Sequence, residues 1–285
     1  MFRIVYIKSM IIWISSYPKS GNTWIRSLLS SYLFSENGKF SFELLENIKQ
    51  FTLKDLPKNL PKRTNYQDLV TKRWISNQQF INKDHKIHFL KTHNAICTIN
   101  GNKFTDEFNT KAAIYVVRDP RNIISSLTHH YELSLNEAYD FLLNKRKIIF
   151  PVKDKEFNFL SDWAGHYNSW KNINFCSIKI VKYEDLINNT KDIFISILDF
   201  LSKFMNLRID QDKILNAIDS TKFENLRKME DKGAFNESAV SSKTNKKIKF
   251  FNLGKKNDWR LSLDRKMIKG IETNFKPEML ELKYL

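Results

Sequence analysis

The sequence predicts an α/β, three-layer architecture in which a central, mostly parallel sheet is flanked by helices. Three observations predict it. Short β-rich apolar runs alternate with stretches of helical periodicity along most of the 285 residues. The opening run Ile11–Ile14 is apolar at every position, as expected of a strand covered on both faces. The run Ala112–Val117 leads into Asp119 and Pro120, an N-cap followed by the residue best tolerated at the first helical position. No internal repeat or obvious linker interrupts the chain. Residues 1–285 therefore read as a single domain, long enough to bury a proper core.

The elements follow in order. After the turn at residues 16–22, Ile25, Leu28, Leu29, Tyr32 and Leu33 recur at helical spacing and define one helix face. Residues 41–85 are polar and mixed, predicting helices and loops broken at Pro57 and Pro61. Lys86–Leu90 is a second strand and Ala112–Val117 the third, with Ile123, Ile124 and Leu127 continuing helically. Residues 134–147 read as a helix and Ser161–Trp170 as an aromatic-rich helix. Ile178–Val181 is a fourth strand, followed by a helix over 190–204. Beyond residue 205 no strand pattern remains; 210–219 and 264–274 read as helices and 230–249 as a mobile loop. At the N-terminus, the apolar run Ile4–Ile7 is flanked by Arg3 and Lys8, and a second apolar run begins after Met10. Residues 1–9 are thus expected to be an upstream extension, with Met10 the natural start.

Composition excludes several classes. With 42% hydrophobic residues, 22 Phe and 6 Trp, disorder throughout is excluded. Seven Gly and six Pro exclude collagen-like architecture. The two cysteines, Cys97 and Cys176, are too few for a disulfide scaffold or a four-cysteine zinc site, and a reduced, cytoplasmic setting is expected. The stretch from Met10 to Ile14 falls far short of the roughly 18 apolar residues of a spanning helix, and it lacks a signal-peptide cleavage site. The balance of 47 Lys+Arg against 31 Asp+Glu gives a net charge of +16, which attracts anions. Lys greatly outnumbers Arg, and Asn and Ile abound, so coding bias is a competing source of that excess. What decides is whether basic residues sit on turns that can hold an anion. They are spread along the chain and match no nucleic-acid motif, so no nucleic-acid partner is expected.

The turn after the first strand is such a site. Strand, tight turn with Lys and Gly, and helix N-terminus together offer unpaired N–H groups and the positive end of a helix dipole. Gly21 lets the backbone approach a ligand, Lys19 adds a full charge, and Asn22 and Thr23 can donate. The order Lys-Ser-Gly-Asn-Thr is not the G-x-x-x-x-G-K-[ST] loop of nucleotide triphosphatases, because no Gly precedes Lys19. An ordinary βα turn is the bland alternative.

Tyr17-Pro18-Lys19-Ser20-Gly21-Asn22-Thr23-Trp24 resembles the 5′-phosphosulfate loop of sulfotransferases that use 3′-phosphoadenosine 5′-phosphosulfate (PAPS), of the cytosolic, bacterial-like type. Val116–Ser126, with Arg118 at the strand end and Ser126 two helical turns on, resembles the family's 3′-phosphate segment. Ligands bind at that carboxyl edge in open α/β folds, and Arg can grip a phosphate with two N–H groups. A surface pair of Arg118 with Asp119 or Glu132 is the competing reading. Leu90-Lys91-Thr92-His93 stands where the family carries a Lys and the catalytic His. His93 is preferred as base over His85, His88, His129, His130 and His166, with His129 and His130 as rivals. Trp163–Trp170 resembles the family's W-x-x-H-x-x-S-W helix, its aromatics read mainly as core. The segment at Tyr183, the pair Thr221 and Phe223, and the lid Phe250–Arg260 complete the resemblance, which spans residues 11 to about 260. In the lid, Asn252 and Leu253 replace an Arg-Lys pair ahead of Gly254, and Asn257 replaces a Gly. A direct Arg grip on the 3′-phosphate is in doubt there, and backbone N–H groups near Gly254 with Lys255 and Lys256 could substitute. Residues 241–260 hold seven Lys/Arg against one acid, Asp258, which suits a lid over a polyanion or a solvated basic loop.

The resemblance implies a P-loop-like fold and transfer of a sulfuryl group from PAPS to a hydroxyl or amine acceptor, leaving 3′,5′-bisphosphoadenosine, without a metal. It implies His93 as base, Lys19 as the charge on the leaving phosphate, and Lys91 and Ser20 as assisting groups. It implies Lys19, Ser20, Gly21, Asn22, Thr23, Trp24, Arg118, Ser126, Tyr183, Thr221, Phe223, Asn252, Leu253 and Gly254 as nucleotide contacts. The alternatives are a P-loop kinase-like phosphotransferase and a nucleotide-binding but catalytically silent relative. Residues 36–85 and 128–160 are expected, by elimination, to shape the acceptor pocket, where Phe80, Tyr131, Tyr139 and Phe141 would suit an apolar acceptor or the core.

Overall fold

A computed structural model describes residues 10–53, 66–149, 157–233, 235, 237–241 and 243–285. Pro57, Pro61 and residues 1–9 lie outside them, as do residues 150–156 of the expected acceptor region. The centre is a four-stranded, fully parallel sheet of β1 (Met10–Ser16), β2 (Ile87–Thr92), β3 (Thr110–Val117) and β4 (Ser177–Lys182), in the order β2-β1-β3-β4. Register places Ser15 beside Thr92 and Ser16 beside Val116, so the carboxyl ends of β1, β2 and β3 open onto one edge.

Strand periodicity sorts the core into two layers. Ile11, Trp13, Ala113, Tyr115 and Val117 face one side, and Ile12, Ile14, Ala112, Ile114 and Val116 the other, all buried. Buried Trp13 satisfies its indole by donating to Thr110 Oγ1 at 2.9 Å. In chain order the helices are α1 (Asn22–Phe34), α2 (Tyr66–Thr71), α3 (Trp74–Ile81), α4 (Pro120–Tyr131), α5 (Leu135–Leu143) and α6 (Trp163–Lys171). They continue with α7 (Tyr183–Asn188), α8 (Thr190–Ser202), α9 (Gln211–Ser220), α10 (Phe223–Asp231), α11 (Arg265–Asn274) and α12 (Lys276–Glu281). Apolar faces of α1, α8 and α9 cover the Ile12 side; α4, α5, α6 and α11 cover the Trp13 side.

Local chemistry sets the boundaries. Asp119 caps α4 by accepting from the Arg121 N–H at 2.9 Å, with Pro120 in the first turn, as read from the sequence. Ser134 and Glu137 form a reciprocal capping box on α5. That helix ends at Leu143 rather than at residue 147, because the Asn144 side chain accepts from the Arg146 N–H and turns the chain. The second strand runs on to Thr92 because Lys91 pairs on its outer edge, donating to Lys49 O and accepting from Phe51 N–H. Part of the expected 230–249 loop belongs to α10, which buries Leu226 and packs Phe223 and Met229 beside it against Phe42 and Phe251. Among the described residues no strand longer than an isolated bridge follows residue 205, and no helix is long and apolar enough to cross a membrane.

Candidate active site

The turn between β1 and α1 is built tightly. Ser20 N–H returns to Tyr17 O at 3.3 Å, and both Lys19 (φ 67°) and Gly21 (φ 104°) adopt left-handed backbone. Tyr17 is fully buried and anchors the loop by donating its hydroxyl to Phe141 O at 3.2 Å. Asn22 sews the helix start to the strand, donating to Ile14 O at 3.1 Å and to Ser16 Oγ at 3.3 Å. No side chain caps α1, so its first N–H groups are left to face the turn. Lys19 Nζ lies 3.9 Å from the centre of the Phe250 ring. Burial pulls its pKa down to about 7, helped by the like charges of Lys91 and Arg118 and opposed by Glu230 and Glu237.

Arg118, at the end of β3, reaches back to this turn. Its Nη1 donates to Lys19 O at 3.0 Å and to Ser126 Oγ at 3.3 Å, and its guanidinium stacks 4.4 Å from the Tyr183 ring centre. It does not pair with Asp119, whose carboxylate is held by Arg121 at 2.7 Å. Asn257 joins the cluster by donating to Ser126 Oγ at 3.1 Å and to Asn122 O at 2.9 Å. A cleft of about 280 Å³ opens here between Arg118, Asn122, Tyr183, Gly254, Lys255 and Asn257.

His93 follows β2 and lies against the same turn. Its Nδ1 is 2.8 Å from Ser16 O, an atom that only accepts, so Nδ1 carries the hydrogen and Nε2 presents a lone pair. Ser16 Oγ is 3.4 Å from the same nitrogen. Burial lowers the imidazole pKa to about 3, the Lys91 charge adds to this, and the Ser16 carbonyl works against it. Behind it, His166 bridges Tyr115 OH at 2.8 Å and His93 O at 3.1 Å, bracing the backbone that carries the ring. His129 Nε2 is bound to Lys249 O at 2.7 Å, and His130 packs its ring on Tyr131 and Phe250.

Lys91 Nζ is 3.3 Å from Glu237, whose carboxylate also holds the fully buried Arg26 at 2.7 Å. Although burial resists ionisation, Lys91 and Arg26 together hold the Glu237 carboxyl down to about 2.

The remaining expected contacts fall into two groups. Tyr183 packs directly on Gly21 and edge-on to Trp24, and Phe223 packs on Gly254, so two aromatic rings flank two glycine turns. Thr221 is fully buried and donates its hydroxyl to Ala217 O at 2.7 Å. Asn252 and Leu253 do not line the cleft, and Leu253 is 42% exposed. Of the expected acceptor aromatics, Phe141 is core, Tyr131 stacks on it, and Phe80 is half exposed. Glu237, Arg26 and the position of Phe250 over Lys19 escaped the sequence reading. Only the Phe250-Phe251 pair in the lid motif hinted at the last.

Unpaired polar atoms cluster here. Among the described residues seven buried side-chain polar atoms lack a partner, and five of them are Ser15 Oγ, Ser20 Oγ, Asn22 Oδ1, Trp24 Nε1 and Arg118 Nε. Buried donors left this way are costly unless a ligand meets them. Three donor groups (Ser20 hydroxyl, Trp24 indole, Arg118 guanidinium) therefore fit an anionic ligand.

The chain was compared with known proteins. It is 25% identical over 233 residues to luciferin sulfotransferase of Photinus pyralis, a match spanning 79% of this chain and 59% of that protein's length. Its fold is similar to that of mouse sulfotransferase SULT7A1 complexed with PAP, with a TM-score of 0.54 at 17% identity, covering 95% of this chain and 84% of the other. Residues 10–283 match the family described as Sulfotransferase domain, and the chain belongs to that family.

Proposed function

We propose that this protein transfers a sulfuryl group from PAPS to a hydroxyl or amine acceptor. The observation that carries this reading is the meeting of the Lys19–Gly21 turn with Arg118, with unpartnered donors of Ser20, Trp24 and Arg118 buried around it. The PAP-bound neighbour of the same fold supports the choice of nucleotide. The relative from Photinus pyralis is named for luciferin, which makes luciferin the first acceptor to screen.

Bound at this turn, the donor supplies an activated sulfuryl group and a phosphate leaving group. The α1 N-terminus and Lys19 stabilise negative charge growing on that leaving oxygen. Arg118 and Ser126 hold the nucleotide's 3′-phosphate, while Tyr183, Phe223 and Trp24 confine the adenine. His93 takes the acceptor proton on Nε2, its tautomer held by Ser16 O. An imidazole at about pKa 3 is a poor base, and the negative charge of a bound donor raises it toward the working range. Lys91 adds positive charge beside both Lys19 and His93.

Calorimetric titration with 3′,5′-bisphosphoadenosine in the presence of EDTA tests the reading. Stoichiometric binding is expected. Binding of ATP that requires magnesium, with none of the bisphosphate, would favour a kinase-like phosphotransferase instead.

A further inference from the structure

The cleft beside Arg118 is walled by Arg118, Tyr183 and Gly254, which are among the contacts the family resemblance implies, and also by Lys255 and Asn257, which are not. Asn252 and Leu253 stand where an Arg-Lys pair is expected, and neither lines it. Lys255 and Asn257, two and four positions beyond Leu253, do, and the intervening Lys256 does not. The left-handed turn at Gly254 (φ 55°), packed on Phe223, carries the chain back to the cleft at these positions.

Hydrogen accounting gives each residue a task. Asn257 spends both Nδ2 hydrogens, on Asn122 O and Ser126 Oγ. Ser126 Oγ thereby accepts from Asn257 and from Arg118 Nη1, which leaves its own hydrogen to donate. Arg118 is 7% exposed and keeps Nε unpartnered. The one carboxylate on the wall, Glu184, is already occupied by Asp119 N–H at 3.0 Å and Tyr284 OH at 2.8 Å, and burial raises its pKa. Both Glu184 oxygens are thus engaged, while Arg118 and Lys255 bring positive charge to the same cleft.

Resting on the donor reading above, we infer that Lys255 supplies the charge contact to the nucleotide's 3′-phosphate that residues 252 and 253 do not, and that Asn257 is the positioning residue holding Ser126 as a donor to the same group. The 3′-phosphate grip has moved along the lid rather than been lost.

The test is the ratio of dissociation constants for adenosine 5′-phosphate and 3′,5′-bisphosphoadenosine, measured by calorimetry at fixed salt. Lys255→Gln is expected to weaken bisphosphate binding about fivefold or more and adenosine 5′-phosphate binding less than twofold. Asn257→Gly should reduce the ratio about threefold. Lys256→Gln, an equal charge change one residue along, should leave it within twofold. Equal losses from Lys255→Gln and Lys256→Gln would overturn the assignment in favour of a diffuse field, and so would no loss from either. An unaltered protein that binds both nucleotides equally well would refute the shifted grip while sparing the adenylate site. One that binds neither would sink the donor reading itself. Retained adenosine 5′-phosphate binding shows that each variant is folded.

Discussion

The Tyr183 ring lies so close over Gly21 that any Cβ at position 21 would sit inside its van der Waals surface. The same glycine has φ 104°, where an L side chain is strained. Ring and turn therefore fix each other, and through Tyr183 the turn also fixes Arg118, stacked 4.4 Å from that ring.

Gly21→Ala should accordingly cost stability on the order of 1–2 kcal/mol from backbone strain. It should cost more in function, because the displaced Tyr183 takes Arg118 with it. Bisphosphoadenosine binding is expected to weaken tenfold or more in calorimetry, while thermal unfolding shifts only a few degrees. A variant that lost stability yet bound normally would uncouple the two.

His93→Ala removes the proposed base and nothing that holds the nucleotide. Turnover with labelled donor should fall about a hundredfold or more, the usual scale for losing a general base. The dissociation constant for bisphosphoadenosine should stay within about threefold. Near-normal turnover would shift attention to His129 and His130, although His129 is tied to Lys249 O and His130 is packed between rings.

Legibility from the sequence tracked the range of each interaction. The strand, turn and helix at residues 10–34 were readable because their determinants are adjacent: an apolar run, Lys-Ser-Gly, and a helical stripe ending at Leu33. Arg118 was readable for the same reason, as the charge closing an apolar strand before Asp119-Pro120. The Glu237 contacts were not, because Glu237 meets Arg26 across 211 positions and Lys91 across 146, with no local pattern announcing either. Helix α10 was missed because its apolar stripe, Phe223, Leu226 and Met229, is short and every position between is polar or charged. The competing pair of Arg118 with Asp119 was plausible locally and lost to Arg121, which reaches the same carboxylate from within the capping turn.

Lys19 should couple binding to protonation. Its pKa of about 7 in the nucleotide-free protein lies below the ordinary 10.5, owing first to burial and then to Lys91 and Arg118, with Glu230 and Glu237 opposing. Between these values the unfolded chain binds the extra proton, so this group's cost to stability is full below pH 7 and is relieved as pH rises. A polyanionic ligand favours the charged form. At pH 8, calorimetry in buffers of different ionisation enthalpy should therefore show proton uptake on bisphosphoadenosine binding, approaching one per site. The share carried by Lys19 should shrink at pH 6, where Lys19 is already charged and His93 is the group left to gain a proton, and the pH 8 uptake should vanish in Lys19→Gln. Uptake that persists in Lys19→Gln would assign it to another group.

Glu237→Ala should destabilise the protein although Glu237 is not among the proposed nucleotide contacts. It strips the partner from Arg26, 1% exposed, and leaves a buried guanidinium held only by Ile48 O and Leu45 O. Breaking a fully buried ion pair costs about 3–5 kcal/mol, and the partial exposure of Glu237 brings the expected loss to roughly 1–3 kcal/mol in urea unfolding. Glu237→Gln keeps one acceptor oxygen for Arg26 but turns amide N–H groups toward donors that cannot accept, so it should recover less than half. The carboxyl is held down to about 2 from its ordinary 4.5, so its contribution is complete above pH 4.5 and is lost as pH falls toward 2. The stability difference between the natural protein and Glu237→Gln should therefore narrow on acidification through that window. A difference that stayed constant from pH 6 to pH 3 would mean that the carboxylate's charge does not hold Glu237 to Arg26 and Lys91.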